Sequence, residues 1–221
     1  MVLIVLLPKP DGGTGPIGLL PTVIRVWMRA RSDLAKSFEA TTYRPSIFGG
    51  AGMGSQRAAW QVAFQAEAAA LKSEHYGQSL LDLVKAFEKI PHHKVVAAAR
   101  KHCYNLTILR LTFAAYRLPR SIGVEGIYSR MVIACCGITA GSGFATVELR
   151  ALLLDVIDST YVLWPSVRLV LMVDDLTINA EGAENETRVA VAGATDFVVD
   201  MLENELEFEV SLKKSVVVGG S

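Results

Sequence analysis

Hydrophobic positions recur along this chain in two rhythms, short unbroken runs and a spacing of three to four. Short runs bounded by Gly, Pro or Asp predict strands, and the wider spacing predicts amphipathic helices. Residues 1–7 read as a strand, PKPDGGTG as a turn, and residues 16–20 as the second arm of a hairpin. Over residues 21–38, Val23, Val26, Trp27, Ala30, Leu34 and Phe38 fall at helical spacing, with Arg25, Arg29 and Lys36 on another face. Ser55 suits the N-cap of a helix running to about Lys72, whose apolar side carries Trp60, Phe64 and Leu71. A strand ends near Asp82, a helix opened by Pro91 runs to about His102, and another covers residues 106–116. The stretch RLPRSIGVEGIYSRMVIACCGITAGSGF predicts two strands around a turn and then a glycine-rich loop. Helical spacing returns over residues 144–157 and 183–206, and strands are expected at 208–212 and 216–218.

Length and composition narrow the class. A chain of 221 residues can bury a sizeable core as one large domain or two small lobes. With 51% hydrophobic and 20% charged residues it is globular rather than disordered. The apolar run at residues 1–7 is far too short to cross a bilayer and lacks the basic lead of a signal peptide, so no membrane partner is expected. Cys103, Cys135 and Cys136 show no metal-ligand spacing and read as reduced core thiols of an intracellular protein. The net charge is zero, yet it is unevenly spread. Residues 181–209 hold nine acidic side chains against Arg188 alone; Lys213 and Lys214 follow, which leaves residues 1–180 at +6. A basic body with an acidic segment suits an electrostatic footprint on one face.

The candidate chemistry sits in RLVLMVDDLTINA, where Asp174 and Asp175 interrupt an apolar run at what reads as the tip of a hairpin. Adjacent carboxylates repel and raise one another's pKa unless a cation neutralises them. Such a tip is either a polar tight turn, for which Asp is well suited, or a divalent-metal site. A converging third carboxylate separates the two readings. QSLLDLVKAFEKIPHH supplies a candidate in Asp82, at the end of an apolar strand. Three such carboxylates can hold two Mg²⁺ ions about 4 Å apart and clamp an in-line phosphoryl displacement.

Five segments in order resemble the fingers and palm of reverse transcriptases, most like those of non-LTR retroelements and group II introns. LLPKPDGGTGPIGL is similar to the family's fingers hairpin PKxxGxxRPI, and LLDLVKAFEKIPHHKV to LDLxKAFDxVxH. GITAGSGFAT occupies the place of the template-positioning loop GxxQGxxxSP, MVDDLTI that of YxDDL or FxDDI, and VSLKKSVVV that of xNxxKTxxM. The resemblance implies an α+β right-hand polymerase with an antiparallel palm sheet backed by helices. Residues 1–75 would be fingers-like and interleaved with the palm, 76–221 would be palm, and no thumb, endonuclease or maturase region is expected. It implies RNA-directed DNA synthesis on an RNA template from a DNA primer, with dNTPs, two Mg²⁺ ions (Mn²⁺ as substitute) and a nuclear setting.

By the same resemblance, Asp82, Asp174 and Asp175 would be metal ligands, and Lys214 would protonate the leaving pyrophosphate. Lys9 would approach the triphosphate, Gly141 would belong to the template loop, and Phe87 would exclude a 2′-hydroxyl from the sugar site. The related RNA-copying polymerases place a polar residue at that last position, so Phe87 favours DNA as product. Several positions depart from the pattern. Gly15 stands where the family has the Arg of RPI, Ala140 replaces the Gln of the loop, and Thr146 the Pro of SP. Met172 replaces the aromatic residue before the aspartates, and Glu88 the Asp of KAFD. Gly15 removes a charge-assisted grip worth roughly 1.5–3 kcal/mol, unless Arg25, Lys36 or Arg44 substitutes. A catalytically inactive remnant that keeps the palm as a nucleic-acid-binding module is the competing expectation, and an RNA-templated RNA polymerase a third.

Overall fold

The computed structural model describes residues 1–8, 12–50 and 52–220. Its elements run β1 (Val2–Pro8), β2 (Thr14–Leu19), α1 (Thr22–Ala30), α2 (Ser32–Thr41), β3 (Ile47–Phe48) and α3 (Ser55–Leu71). Then come β4 (His75–Leu81), α4 (Ala86–Lys89), α5 (His92–Lys101), α6 (Leu106–Tyr116), β5 (Arg120–Val124) and β6 (Ile127–Tyr128). The chain continues through α7 (Ala145–Leu163), β7 (Arg168–Met172), β8 (Asp175–Gly182), α8 (Glu184–Asp200), a π-helical turn Met201–Glu205, and β9 (Val216–Gly220). This is the expected α+β architecture, with mixed and antiparallel sheets backed by helices. Among the described residues no helix is long and apolar enough to cross a membrane.

The chain forms two compact units, each built from two segments: residues 1–42 with 87–152, and residues 43–86 with 153–221. The first holds a four-stranded sheet in the order β2-β1-β5-β6. The hairpin β1–β2 is antiparallel, as the sequence pattern predicts, while β1 pairs in parallel with β5, Val2 opposite Arg120. Its core gathers Ile90, Leu109, Tyr116, Ile138, Phe144 and Leu149, all fully buried. Trp27 meets Phe144 edge-on at 5.7 Å, a geometry that aromatic quadrupoles favour. Helix α6 starts cleanly because the Asn105 side chain accepts from the amides of Thr107 and Ile108, both at 3.0 Å.

The second unit holds a five-stranded sheet, β3-β7-β8-β4-β9, antiparallel except for the short parallel pairing of β3 with β7. Helix α8 packs on β4 and β8, and α3 packs on β4, β7 and β8. Phe48, Met53, Ala58 and Val170 make one core cluster, with Val62 and Met172 against it.

The structure differs from several sequence expectations. Residues 21–38 form two helices rather than one, because Arg31 leaves helical geometry (φ −111°, ψ 8°) and Ser32 and Asp33 open a new first turn. Short polar and acidic residues favour a helix N-terminus over its interior. Val23 and Val26 are exposed, and the buried residue of α1 is Met28. On α3 the buried stripe is Ala58, Gln65 and Ala69, while Trp60 and Phe64 are 74% and 71% exposed. The face carrying Ala58, Gln65 and Ala69 is the one turned toward the sheet, which leaves the bulky stripe outward. The predicted strand at 208–212 is instead a single bridge, Leu83 with Val210. The three cysteines are free thiols, but all are exposed rather than core. Cys135 and Cys136 lie in a bend between β6 and α7, and no layer covers them.

Candidate active site

Strands β7 and β8 form a two-residue hairpin. Met172 pairs with Asp175, so Val173 and Asp174 make the turn. Val173 has φ +63°, a left-handed conformation that glycine or asparagine adopts easily and a β-branched residue adopts at a cost of roughly 1–2 kcal/mol. Strain of this kind concentrates where the surrounding fold fixes a functional turn. Asp174 is half-buried at the apex and borders a small apolar gap with Leu83, Ile157, Leu171 and Leu202.

Register then brings a second carboxylate to the tip. Leu81 of β4 lies opposite Leu176 of β8, so the next residue toward the same end is Asp82 on one strand and Asp175 on the other. The segment after the π-helical turn clamps Asp82 in place. Asp82 N donates to Ser215 Oγ at 3.2 Å, Ser211 N donates to Asp82 O at 2.8 Å, and Val84 N donates to Glu209 O at 2.8 Å. A tight turn follows, with Ser215 N donating to Ser211 O, and it delivers Lys214 Nζ to 3.5 Å from Asp82 Oδ2. Partial burial raises the pKa of Asp175, the Asp82 charge raises it further, and Lys214 opposes both. Asp82, Asp175 and Lys214 are thus brought together, with Asp174 one residue away in the turn.

Among the described residues no three His, Cys, Asp or Glu side chains converge as a ready-made metal cage. Mg²⁺ rarely uses one; it takes one or two carboxylates, waters and the substrate's phosphates. The donor set here is oxygen only, and the rise that burial and the Asp82 charge impose on the Asp175 pKa is what a divalent cation would relieve. The residues present fit such an ion without enclosing it.

Phe87, half-buried in α4, belongs to the first unit. Ile138 N donates to Phe87 O at 2.7 Å and Gly137 N to Ile90 O at 2.8 Å, while His92 Nε2–H donates to Gly137 O at 2.9 Å. Gly137 has φ +86°, and a Cβ there would stand 2.5 Å from Glu88 O, so only glycine fits. The following loop is tied to β2: Gly18 N donates to Ala140 O at 2.7 Å, and Gly141 sits at φ +103° with its backbone against Gly18.

A group the sequence did not single out anchors that loop. Glu148, on α7, is completely buried, and Tyr116 Oη lies 2.7 Å from its Oε2 and 2.8 Å from Ser142 Oγ. Burial pushes the Glu148 carboxyl up to about 8, against the smaller pull of Tyr116 and Thr112, so it is largely protonated at neutral pH. In the sequence, one glutamate inside an apolar helix gives no sign that its partner is a tyrosine on another helix.

Lys9 lies outside the described residues. Gly15 pairs with Leu7 in the β1–β2 hairpin. Of the cations considered as its substitute, Arg44 is committed to Asp158 through two bonds of 2.7 Å. Lys36 pairs with Asp33 at 3.3 Å, and Arg25 donates to Thr22 Oγ1 at 3.3 Å.

No protein-family model and no curated protein sequence matches the chain. Solved structures do match in shape. Apo telomerase from Candida tropicalis, truncated from its C-terminal domain, superposes with a TM-score of 0.68 at 12% identity, covering 100% of this chain and 50% of that one. Candida tropicalis telomerase in complex with a fragment of telomeric RNA gives 0.69 at 13% identity, covering 100% and 41%. The corresponding Candida albicans complex gives 0.63 at 12% identity, covering 99% and 42%. This chain therefore spans half the length of these proteins or less. At such identity the likeness speaks to the fold alone: the chain shares the reverse-transcriptase-like fold of these telomerase structures.

Proposed function

We propose that this chain is the fingers and palm core of an RNA-directed DNA polymerase of non-LTR retroelement or group II intron type. Residues 1–75 are fingers-like and interleaved with a palm of residues 76–221. The observation that carries the reading is the meeting of Asp82, Asp175 and Lys214 beside a strained Val173–Asp174 turn. Asp82, Asp174 and Asp175 would hold the divalent ions, with waters and substrate phosphates completing their shells. Bound there, Mg²⁺ would supply the chemistry of lowering a 3′-hydroxyl pKa and offsetting charge on the phosphates.

The chain's own residues do the rest. Lys214 Nζ, held near Asp82, supplies a proton to the departing pyrophosphate. Phe87 packs beneath the deoxyribose and leaves no room for a 2′-hydroxyl. Lys9 approaches the triphosphate, and the loop around Gly141 steadies the template. RNA is the proposed template, in keeping with the telomeric RNA bound in the Candida complexes. A nuclear location follows from the proposed retroelement origin.

Primer extension on an RNA template with Mg²⁺ and dNTPs, set against Asp174→Ala, tests the reading. Extension by the wild type alone supports it, with deoxynucleotides outperforming ribonucleotides. Better use of ribonucleotides would move the assignment to an RNA-templated RNA polymerase. A second reading, a non-catalytic nucleic-acid-binding module, is favoured by Gly15 and by the engagement of Arg44 with Asp158. Duplex binding without extension at high nucleotide concentration would establish it, and Gly15→Arg would then be the substitution to restore the nucleotide grip.

A further inference from the structure

Cys135 and Cys136 are consecutive, exposed free thiols in a bend. Cys136 is also tied inward, its Sγ–H donating to Glu88 O at 3.6 Å. We propose that Cys135 and Cys136 form a dithiol site for trivalent electrophiles that bridge two sulfurs, with trivalent arsenicals as the ligand class, and that its occupation loosens the turn carrying Phe87.

The chemistry favours a bridging ligand over a single-thiol reagent. Burial first, and then the neighbouring Cys135, raise the pKa of the Cys136 thiol, so little thiolate is available for simple alkylation. A trivalent arsenical gains instead from a second bond made intramolecularly, at an effective concentration far above that of a free thiol. With phenylarsine oxide the step balances without an oxidant. Two S–H bonds and the As–O bond break, two As–S bonds form, the oxygen leaves with both protons as water, and arsenic stays trivalent.

The link to Phe87 runs through bonds already described. Bridging removes the thiol proton that Cys136 donates to Glu88 O. The same short segment carries the amides of Gly137 and Ile138, which donate to Ile90 O and Phe87 O. Gly137 cannot shift freely, because its backbone is packed against Glu88 O. Strain introduced at Cys136 therefore passes to the Phe87 turn.

The test is intact-mass measurement of the full chain with phenylarsine oxide in excess 2-mercaptoethanol. The expected result is one bridged adduct per chain, resistant to the monothiol and stripped by 2,3-dimercaptopropanol. Cys135→Ser and Cys136→Ser should each weaken retention about 100-fold. Cys103→Ser, at an exposed thiol elsewhere, should leave it unchanged. Amide exchange at Gly137 and Ile138 should rise severalfold in the adduct. No adduct on the wild type, wild-type retention in either Cys135→Ser or Cys136→Ser, or unchanged exchange would overturn the proposal. None of these readouts requires polymerase activity, so failure here is distinct from failure of the polymerase reading. Only a resulting fall in deoxynucleotide preference rests on that reading.

Discussion

Asp175 and Glu148 are both carboxyl groups whose protonated form the fold favours, one at an open strand end and the other deep between helices α6 and α7. Burial is the leading cause for each. At Asp175 a second carboxylate adds to it and a lysine counteracts it. At Glu148 no charge intervenes, and a hydrogen bond with the neutral Tyr116 hydroxyl holds the acid. The first arrangement leaves an acid that a cation can recruit. The second leaves an acid that has already been neutralised by its own proton, and which serves as a strut. A raised carboxyl pKa by itself does not identify a reactive site; the identity of the neighbours does.

The sharpest way to break that contrast is to remove charge at the tip. Asp174→Ala should lower primer extension about a thousandfold with little change in melting temperature. A bound divalent ion supplies several kcal/mol of charge stabilisation, and each 1.36 kcal/mol is a factor of ten. Extension within tenfold of wild type would deny the tip its role. Lys214→Met should cost about a hundredfold in the same assay, the lower range for a lost general acid. It should also raise the Asp175 pKa further, readable by NMR titration, since Lys214 is the group that opposes the rise.

Glu148→Gln tests the buried half. Its carboxyl stands at about 8 in the fold against an ordinary 4.5. Stability from this group is fully present below the unfolded value and is lost as pH rises from there through the folded value. The Gln variant should flatten that slope and be more stable than wild type above pH 8, by on the order of a few kcal/mol. Denaturant melts at about pH 5 and 9 would show it; parallel pH profiles would mean Glu148 ionises freely. Extension by this variant should stay near wild type at neutral pH. The smallest effect is expected at Val173→Gly, which relieves a left-handed β-branched residue but adds chain entropy. The net gain should be about 0.5–1 kcal/mol, and a loss of that size would show the turn is not strained.

The sequence revealed the strand ends better than the faces of the helices. Apolar runs located β4, β7 and β8, and two-residue periodicity across their register is what sets Asp82 beside Asp175. Helix α3 misled because Trp60 and Phe64 dominate any reading by size, while the stripe that packs is two alanines and a glutamine. Lys214 was legible only through a family pattern, since its approach to Asp82 depends on hydrogen bonds from a segment that is not a strand. Glu148 was invisible because its partners, Tyr116 and Ser142, are joined to it only by tertiary packing.

The parallel pairing of β1 with β5 has a consequence for how the chain is made. Val2 waits for Arg120, a partner synthesised more than about a hundred residues later. At roughly 5–20 residues per second, the first hairpin leaves the ribosome several seconds before its neighbouring strand exists. During that interval the edge of β1 that will pair with β5 is open to any other strand. Nascent chains of this protein should therefore depend on a holding factor until about residue 124 has emerged, and segments cut short of that point should aggregate.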